Sequence, residues 1–139
     1  MQYKRIMCLD YGDVRIGIAF SDLLQTIASP HSTYTRKTLK DDLNYFAELA
    51  KQQEVELIVI GLAYNMDGSA GDRVEKTKEF GDKLSNFLNL PIEYVDERLS
   101  SVEAEDILAE AKVPCIKRKG LIDKIAASII LQNYLNSRN

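Results

Sequence analysis

The run Lys4-Arg-Ile-Met-Cys-Leu-Asp-Tyr-Gly-Asp-Val-Arg-Ile-Gly-Ile-Ala-Phe-Ser21 decides the fold. Its first part, Lys4 to Leu9, is a short apolar segment that reads as a strand and stops on Asp10. Gly12 and Asp13 supply turn chemistry. Ile16, Ile18 and Phe20 then alternate with Gly17, Ala19 and Ser21, the period of a second strand. The chain therefore opens on a hairpin. A third extended segment, residues 26–35, is rich in Thr and Ser and interrupted by Pro30, which assigns it to a sheet edge.

Beyond the hairpin the period changes. Thr38-Leu-Lys-Asp41 resembles a helix start, and Leu39, Leu43, Phe46 and Ala50 recur on one helical face. Leu57 to Leu62 is continuously apolar, as in a strand covered on both faces. A polar loop, Asn65 to Gly71, leads into a helix whose inner face is expected to carry Phe80, Leu84, Phe87 and Leu88. After Pro91 a strand, Ile92 to Val95, ends on Asp96. Ser100-Ser-Val-Glu103 is a capping-box pattern, followed by Val102, Ile107, Leu108 and Ala111 at helical spacing. Pro114 stops that helix, and a last one is expected from about Lys119 to Asn136. The order β-β-β-α-β-α-β-α-α implies an α/β fold with a mixed five-stranded sheet and helices on both faces. Strands one, four and five would be parallel, with strand two antiparallel to them.

Composition sets the outer bounds. A chain of 139 residues, 45% hydrophobic and 28% charged, is expected to form one domain, residues 1–139, with a core large enough to need no disulfide or metal. Its apolar runs fall far short of the roughly 20 residues of a membrane span. Met1-Gln-Tyr-Lys-Arg runs into the first strand without a signal-peptide pattern, so a cytoplasmic location with Cys8 and Cys115 reduced is expected. The net charge of −3 gives no whole-molecule hint of a nucleic-acid partner, so that question falls to local charge.

The topology carries the chemistry. Ligands of open α/β sheets bind beyond the carboxyl ends of the parallel strands. Strand one ends on Asp10, strand five on Asp96 with Glu97 beside it, and strand four feeds the loop holding Asn65 and Asp67. On the last helix Asp123, Ala127, Ile130 and Tyr134 fall on one stripe, and the small Ala126 and Ala127 allow close approach to the sheet. Each aspartate alone also serves as a turn or cap residue. Jointly, Asp10, Asp96 and Asp123 would repel one another unless a cation sat among them. An all-oxygen set favours Mg²⁺ or Mn²⁺, and two such ions can activate water and stabilise the leaving oxygen of a phosphodiester.

From Lys112 to Lys124 there are five basic residues and one acidic, a cluster expected just before the helix bearing Asp123. Lys117, Arg118 and Lys119 there would grip a nucleic-acid backbone, or form a solvated loop. Arg15 and Arg98 each lie near a strand-end acid and suit either a phosphate or a carboxylate, and Arg73, just past the polar loop, is a further candidate at a helix start. Tyr11 and Tyr64 lie where either could stack on a base. His31, the single histidine, stands beside a proline in the edge strand and reads as structural. Two cysteines and one histidine at unrelated spacings make no zinc site, and neither a P-loop nor a G-x-G-x-x-G motif occurs.

Leu9-Asp-Tyr-Gly-Asp-Val-Arg-Ile-Gly-Ile-Ala19, Ser21-Asp22, Gly61-Leu-Ala-Tyr-Asn-Met-Asp-Gly68, Val95-Asp-Glu-Arg-Leu-Ser100 and Ile122-Asp-Lys-Ile-Ala-Ala127 resemble the successive signature blocks of the YqgF/RuvX family, across nearly the whole chain. The resemblance implies an RNase H-like fold related to RuvC-type Holliday junction resolvases. It also implies a bacterial cytoplasmic nuclease acting on the 5′ end of precursor 16S rRNA, a family earlier regarded as junction resolvases. The partners it implies are precursor rRNA in immature ribosomal particles, or branched DNA. The family's acidic positions fall on Asp10, Asp96 and Asp123. Val14 stands where a basic residue is common, and Ala63 and Asp72 where proline is common; none of these changes removes a ligand.

Three function classes follow. In a metal-dependent phosphodiesterase Asp10, Asp96 and Asp123 would hold the ions, Glu97 would orient water, and Arg98 with the 117–119 run would grip the backbone. Asp10-x-Gly-x-x-x-x-Gly17 also resembles the phosphate loop of actin-like sugar kinases, whose two such domains 139 residues cannot supply. A non-catalytic ribosome-assembly module would bind without cutting. A resolvase would need a symmetric dimer to cut two strands, whereas an RNA end-processor can act as a monomer, so a monomer or a homodimer is expected.

Overall fold

The structure, a computed structural model, describes residues 4–63, 71–97 and 100–138, without the side chains of 100–102 and 115–119. Its strands are β1 (Arg5–Asp10), β2 (Arg15–Ser21), β3 (Ala28–Thr35), β4 (Val55–Leu62) and β5 (Ile92–Asp96). Its helices are α1 (Leu39–Gln52), α2 (Asp72–Leu88), α3 (Ser100–Glu110) and α4 (Cys115–Ser137). The strands form one sheet in the order β3-β2-β1-β4-β5. β1 pairs parallel with β4, and β4 with β5, while β2 runs antiparallel to β1 and β3. This is the mixed sheet that the hairpin and the β-α-β alternation imply.

Strand alternation sorts the core into two layers. Met7, Leu9, Ile16, Ile18, Ile58 and Ile60 point to one face and meet Phe46 and Leu49 of α1 and Phe80 and Leu84 of α2. Ile6, Cys8, Ala19 and Val59 point to the other and meet Ala127, Ile130, Leu131 and Leu135 of α4. Ala126 and Ala127 are fully buried, so α4 lies close on the sheet.

Element boundaries differ from expectation in two places. β3 begins at Ala28 rather than at residue 26, because the Asp22 carboxylate takes the backbone N–H of Thr26 (2.7 Å) and of Ile27 (3.0 Å), while Gln25 turns the chain at φ 57°. α4 begins at Cys115, directly after Pro114, so the basic run 117–119 lies inside the helix rather than in a loop before it. Proline favours a helix start as readily as a stop. Two inner faces also shift. Phe87 is 50% exposed, and α2 buries Val74 and Thr77 with Phe80 and Leu84; Ile107 is 48% exposed, and α3 buries Ala104 and Leu108.

Candidate active site

Asp10 is the last residue of β1, in the row of Ile6 and Cys8, and therefore faces α4. Directly opposite it across the β1–β2 ladder stands Gly17. The backbone of Asp123 rests on that glycine: a Cβ there would overlap the Asp123 carbonyl group and lie 2.9 Å from the Lys124 nitrogen. The Thr33 hydroxyl donates to the Gly120 carbonyl and ties the same turns of α4 to β3. Close approach at Gly17 thus brings Asp123, remote in sequence, to the end of β1.

The next strand end adds a third carboxylate. The Glu97 N–H donates to the Leu62 carbonyl (3.1 Å), extending the β4–β5 ladder past Asp96. Its side chain lies over Gly61, where a Cβ would overlap Glu97 Cγ and approach Ile130 Cδ1 to 2.9 Å. Glu97 thus shares the α4-facing row with Val95, which packs in that layer. Cys8 lies in this layer as well, fully buried; burial raises its thiol pKa, and the negative charge of Asp10 and Glu97 raises it further.

Asp10 responds to this company. Burial first, then the charges of Glu97 and Asp123, push its pKa up to about 8, while Arg73 acts in the opposite sense. The Asp123 carboxylate is partly neutralised, since Oδ2 accepts from Arg15 Nε at 2.7 Å. Among the described residues, no three acidic, histidine or cysteine side chains stand close enough to hold one ion in their present rotamers.

A sequence profile of the RuvX family, Holliday junction resolvase, matches residues 4–137. The chain belongs to the RuvX family. A relative from Halothermothrix orenii is 54% identical over 135 residues, covering 97% of this chain and 96% of its own. One from Syntrophomonas wolfei is 51% identical over 132 residues, covering 95% and 94%. Both carry the provisional name pre-16S rRNA nuclease. Thermus thermophilus RuvC in complex with a Holliday junction substrate shares the fold at TM-score 0.60 and 11% identity, covering 98% of this chain and 96% of that one. Fowlpox virus resolvase with junction DNA does so at TM-score 0.56 and 13% identity, covering 96% and 98%.

The remaining sequence candidates of this RuvX-family chain fall in several places. Asp96 is exposed, belongs by alternation to the row of Ile92 and Tyr94, and borders a cleft of about 310 Å³ lined also by Glu97, Glu103, Ile130, Asn133 and Tyr134. It does not figure among the charges that raise the Asp10 pKa. Arg73 sits at the first turn of α2, where its Nη2 donates to the Tyr11 carbonyl at 2.9 Å, beside Asp10. Asn65 and Arg98, with Tyr64 and Asp67, lie outside the described residues, as do the side chains of Lys117, Arg118 and Lys119.

Tyr11 does not present a stacking face. It is 8% exposed, its ring lies 5.0 Å from Phe80, and the Arg36 guanidinium covers it at 4.8 Å. Strand alternation sends it to the α2 side, away from Asp10. A buried polar network surrounds it. Arg36 donates to the Tyr11 hydroxyl (2.6 Å) and to the Gly12 carbonyl (3.4 Å), while its Nε pairs with Asp42 at 3.1 Å. Asp42, fully buried, also accepts from the Tyr34 hydroxyl (2.8 Å) and the Lys37 N–H (2.9 Å). This network holds the loop that follows Asp10. A helix-start aspartate is an ordinary sight in sequence, and nothing in its spacing announces such a role.

Proposed function

We propose that this protein is a metal-dependent nuclease that hydrolyses a phosphodiester bond in 5′-end maturation of precursor 16S rRNA, with Asp10, Glu97 and Asp123 as its cation-holding carboxylates. The observation that carries this reading is the convergence at the β1 end, where α4 on Gly17 brings Asp123 to Asp10 and Glu97 lies over Gly61; burial first, and then the charges of Glu97 and Asp123, push the Asp10 pKa up to about 8. Three carboxylates at one edge are costly without a counter-charge, and as an all-oxygen donor set they suit a hard divalent cation, Mg²⁺ or Mn²⁺, once side-chain rotation brings them together. When bound, two ions of this kind supply an activated water and charge stabilisation at the leaving oxygen. RuvX membership and the names of the relatives support the nucleolytic reading.

The protein's own side chains have definable tasks. Asp10 and Asp123, fixed by the β1 end and by α4 on Gly17, hold their carboxylates toward a common region. Glu97 closes it from β5. Arg73 lies within electrostatic reach of Asp10, where it offsets the site's negative charge and suits a substrate phosphate. Asp96, one residue along, is assigned to the adjoining cleft rather than to the ions. Lys117, Arg118 and Lys119 at the start of α4 are proposed to bind the flanking backbone, with Asn65 and Arg98. Hydrolysis places a water oxygen on phosphorus and releases the departing oxygen with a proton.

This reading expects a cytoplasmic protein, monomer or homodimer, working on immature ribosomal particles. Among the described residues no helix is long and apolar enough to cross a membrane. The test is cleavage with Mn²⁺ of a precursor 16S rRNA fragment and of a four-way DNA junction, with Asp10→Asn and Asp123→Asn as controls. Cleavage of the RNA that disappears in both variants is the expected result. Cutting of the junction alone transfers the activity to branched DNA, and activity surviving in both variants refutes the site.

A further inference from the structure

We infer that Arg15 alternates between two anions, the Asp123 carboxylate in the free protein and a backbone phosphate of bound nucleic acid, and that this exchange couples cation binding to substrate binding. The inference rests on the nuclease reading above. Arg15 opens β2 two residues before Gly17, on the row that faces α4, and its Nε lies 2.7 Å from Asp123 Oδ2. The two side chains are 30% and 22% exposed, so the pair sits at the rim, where the guanidinium can leave without crossing the core.

The other arginines near this edge are placed differently. Arg36 is held by a fully buried carboxylate, a tyrosine hydroxyl and two aromatic rings. Arg73 is tied to the Tyr11 carbonyl. The Arg15 side chain makes one hydrogen bond among the described residues, through Nε, which leaves its terminal N–H fork for a second partner. That fork matches phosphate geometry.

The same carboxylate cannot serve both cations fully. A divalent ion held by Asp10 and Asp123 would meet the positive guanidinium already on Asp123, and the two would compete. A phosphate arriving at the rim draws Arg15 away and removes the competitor. By linkage, nucleic acid then tightens the cation, and the cation tightens nucleic acid by the same factor. Asp123 is thereby kept neutralised until substrate is present.

The test is calorimetric titration of Mn²⁺ into the full chain and into Arg15→Gln and Arg15→Lys, alongside steady-state cleavage of the precursor rRNA fragment. Arg15→Gln is expected to bind Mn²⁺ about tenfold more tightly than wild type, roughly 1.4 kcal/mol, while its KM for RNA rises about tenfold and kcat changes far less. Damage to the site would weaken Mn²⁺ instead, so the direction separates an exchange from a structural fault. Arg15→Lys, which keeps the charge without the fork, is expected to bind Mn²⁺ within about threefold of wild type and to keep the raised KM. Measurable Mn²⁺ binding that is unchanged or weaker in Arg15→Gln overturns the exchange and leaves the nuclease reading standing. Equal tightening in both variants overturns it as well. Absence of Mn²⁺ binding in wild type and variants overturns both.

Discussion

Replacing Gly17 by alanine tests how the site is assembled, because it adds one methyl group at the point where α4 touches the sheet. The added Cβ would overlap the Asp123 carbonyl and stand 2.9 Å from the Lys124 nitrogen, whereas ordinary contact begins at 3.4 Å. The nitrogen alone demands a shift of about 0.5 Å, and the carbonyl demands more. Ala126 and Ala127 below it are fully buried and give no slack, so the helix must lift at Asp123. Overpacking of this kind costs about 1–3 kcal/mol. At roughly 3–5 °C per kcal/mol for a chain of this size, the melting temperature should fall by about 3–15 °C. A displacement near 1 Å at a reacting group lowers turnover by about a hundredfold. Thermal melts locate a temperature at which the variant is folded, and cleavage of precursor rRNA is then measured there. The expected result is a fall in kcat of one to two orders of magnitude with a modest change in KM. A variant with wild-type melting and wild-type turnover would refute close approach at Gly17 as the device that positions Asp123.

Other outcomes follow from the same geometry. Glu97→Gln should reduce cleavage by at least two orders of magnitude, whereas Asp96→Asn, one residue earlier and in the opposite strand row, should keep activity within about threefold; one assay of both variants checks the assignment. Asp42→Ala removes the buried partner of Arg36 and should lower stability by roughly 3 kcal/mol in denaturant melts, with a smaller effect on cleavage through the loop at Tyr11 and Gly12. In metal-free buffer, stability should fall as pH rises from about 4 to 8. Folded Asp10 keeps its proton up to about pH 8, while in the unfolded chain it is released near 3.8, so across that window the folded state binds more protons. The slope amounts to about 1.4 kcal/mol per pH unit at most. Asp10→Asn should abolish it, and Mn²⁺ should raise the melting temperature of the wild type most at the alkaline end.

Much of this was legible in the sequence because periodicity survives translation into structure. The hairpin from Lys4 to Ser21, the buried run Leu57–Leu62 and the stripe through Ala127 and Ile130 each have one geometric solution, and the sheet has the order they imply. Placement of Asp10 and Asp123 followed from rules about strand ends and small residues. The choice between Asp96 and Glu97 was harder, since both adjoin a strand end and only the parity of β5 against β4 decides which faces α4. That parity rests on where the ladder stops, and Glu97 extends it by one hydrogen bond to Leu62. Gly61 was the available clue, for a glycine in an otherwise bulky strand marks space taken by a neighbour. The start of α4 was missed because a proline and a run of like charges read equally well as loop. The Arg36–Asp42 network left no trace at all, since its members are joined by tertiary contacts and not by spacing.

The most direct measurement is anomalous diffraction from crystals of the protein grown with Mn²⁺. Peaks at coordination distance from the carboxylate oxygens of Asp10, Glu97 and Asp123, with Arg15 moved off Asp123, are the result expected. Manganese seated instead in the cleft between Asp96 and Glu103, or no peak near Asp10 at saturating Mn²⁺, would contradict the site on which the whole account stands.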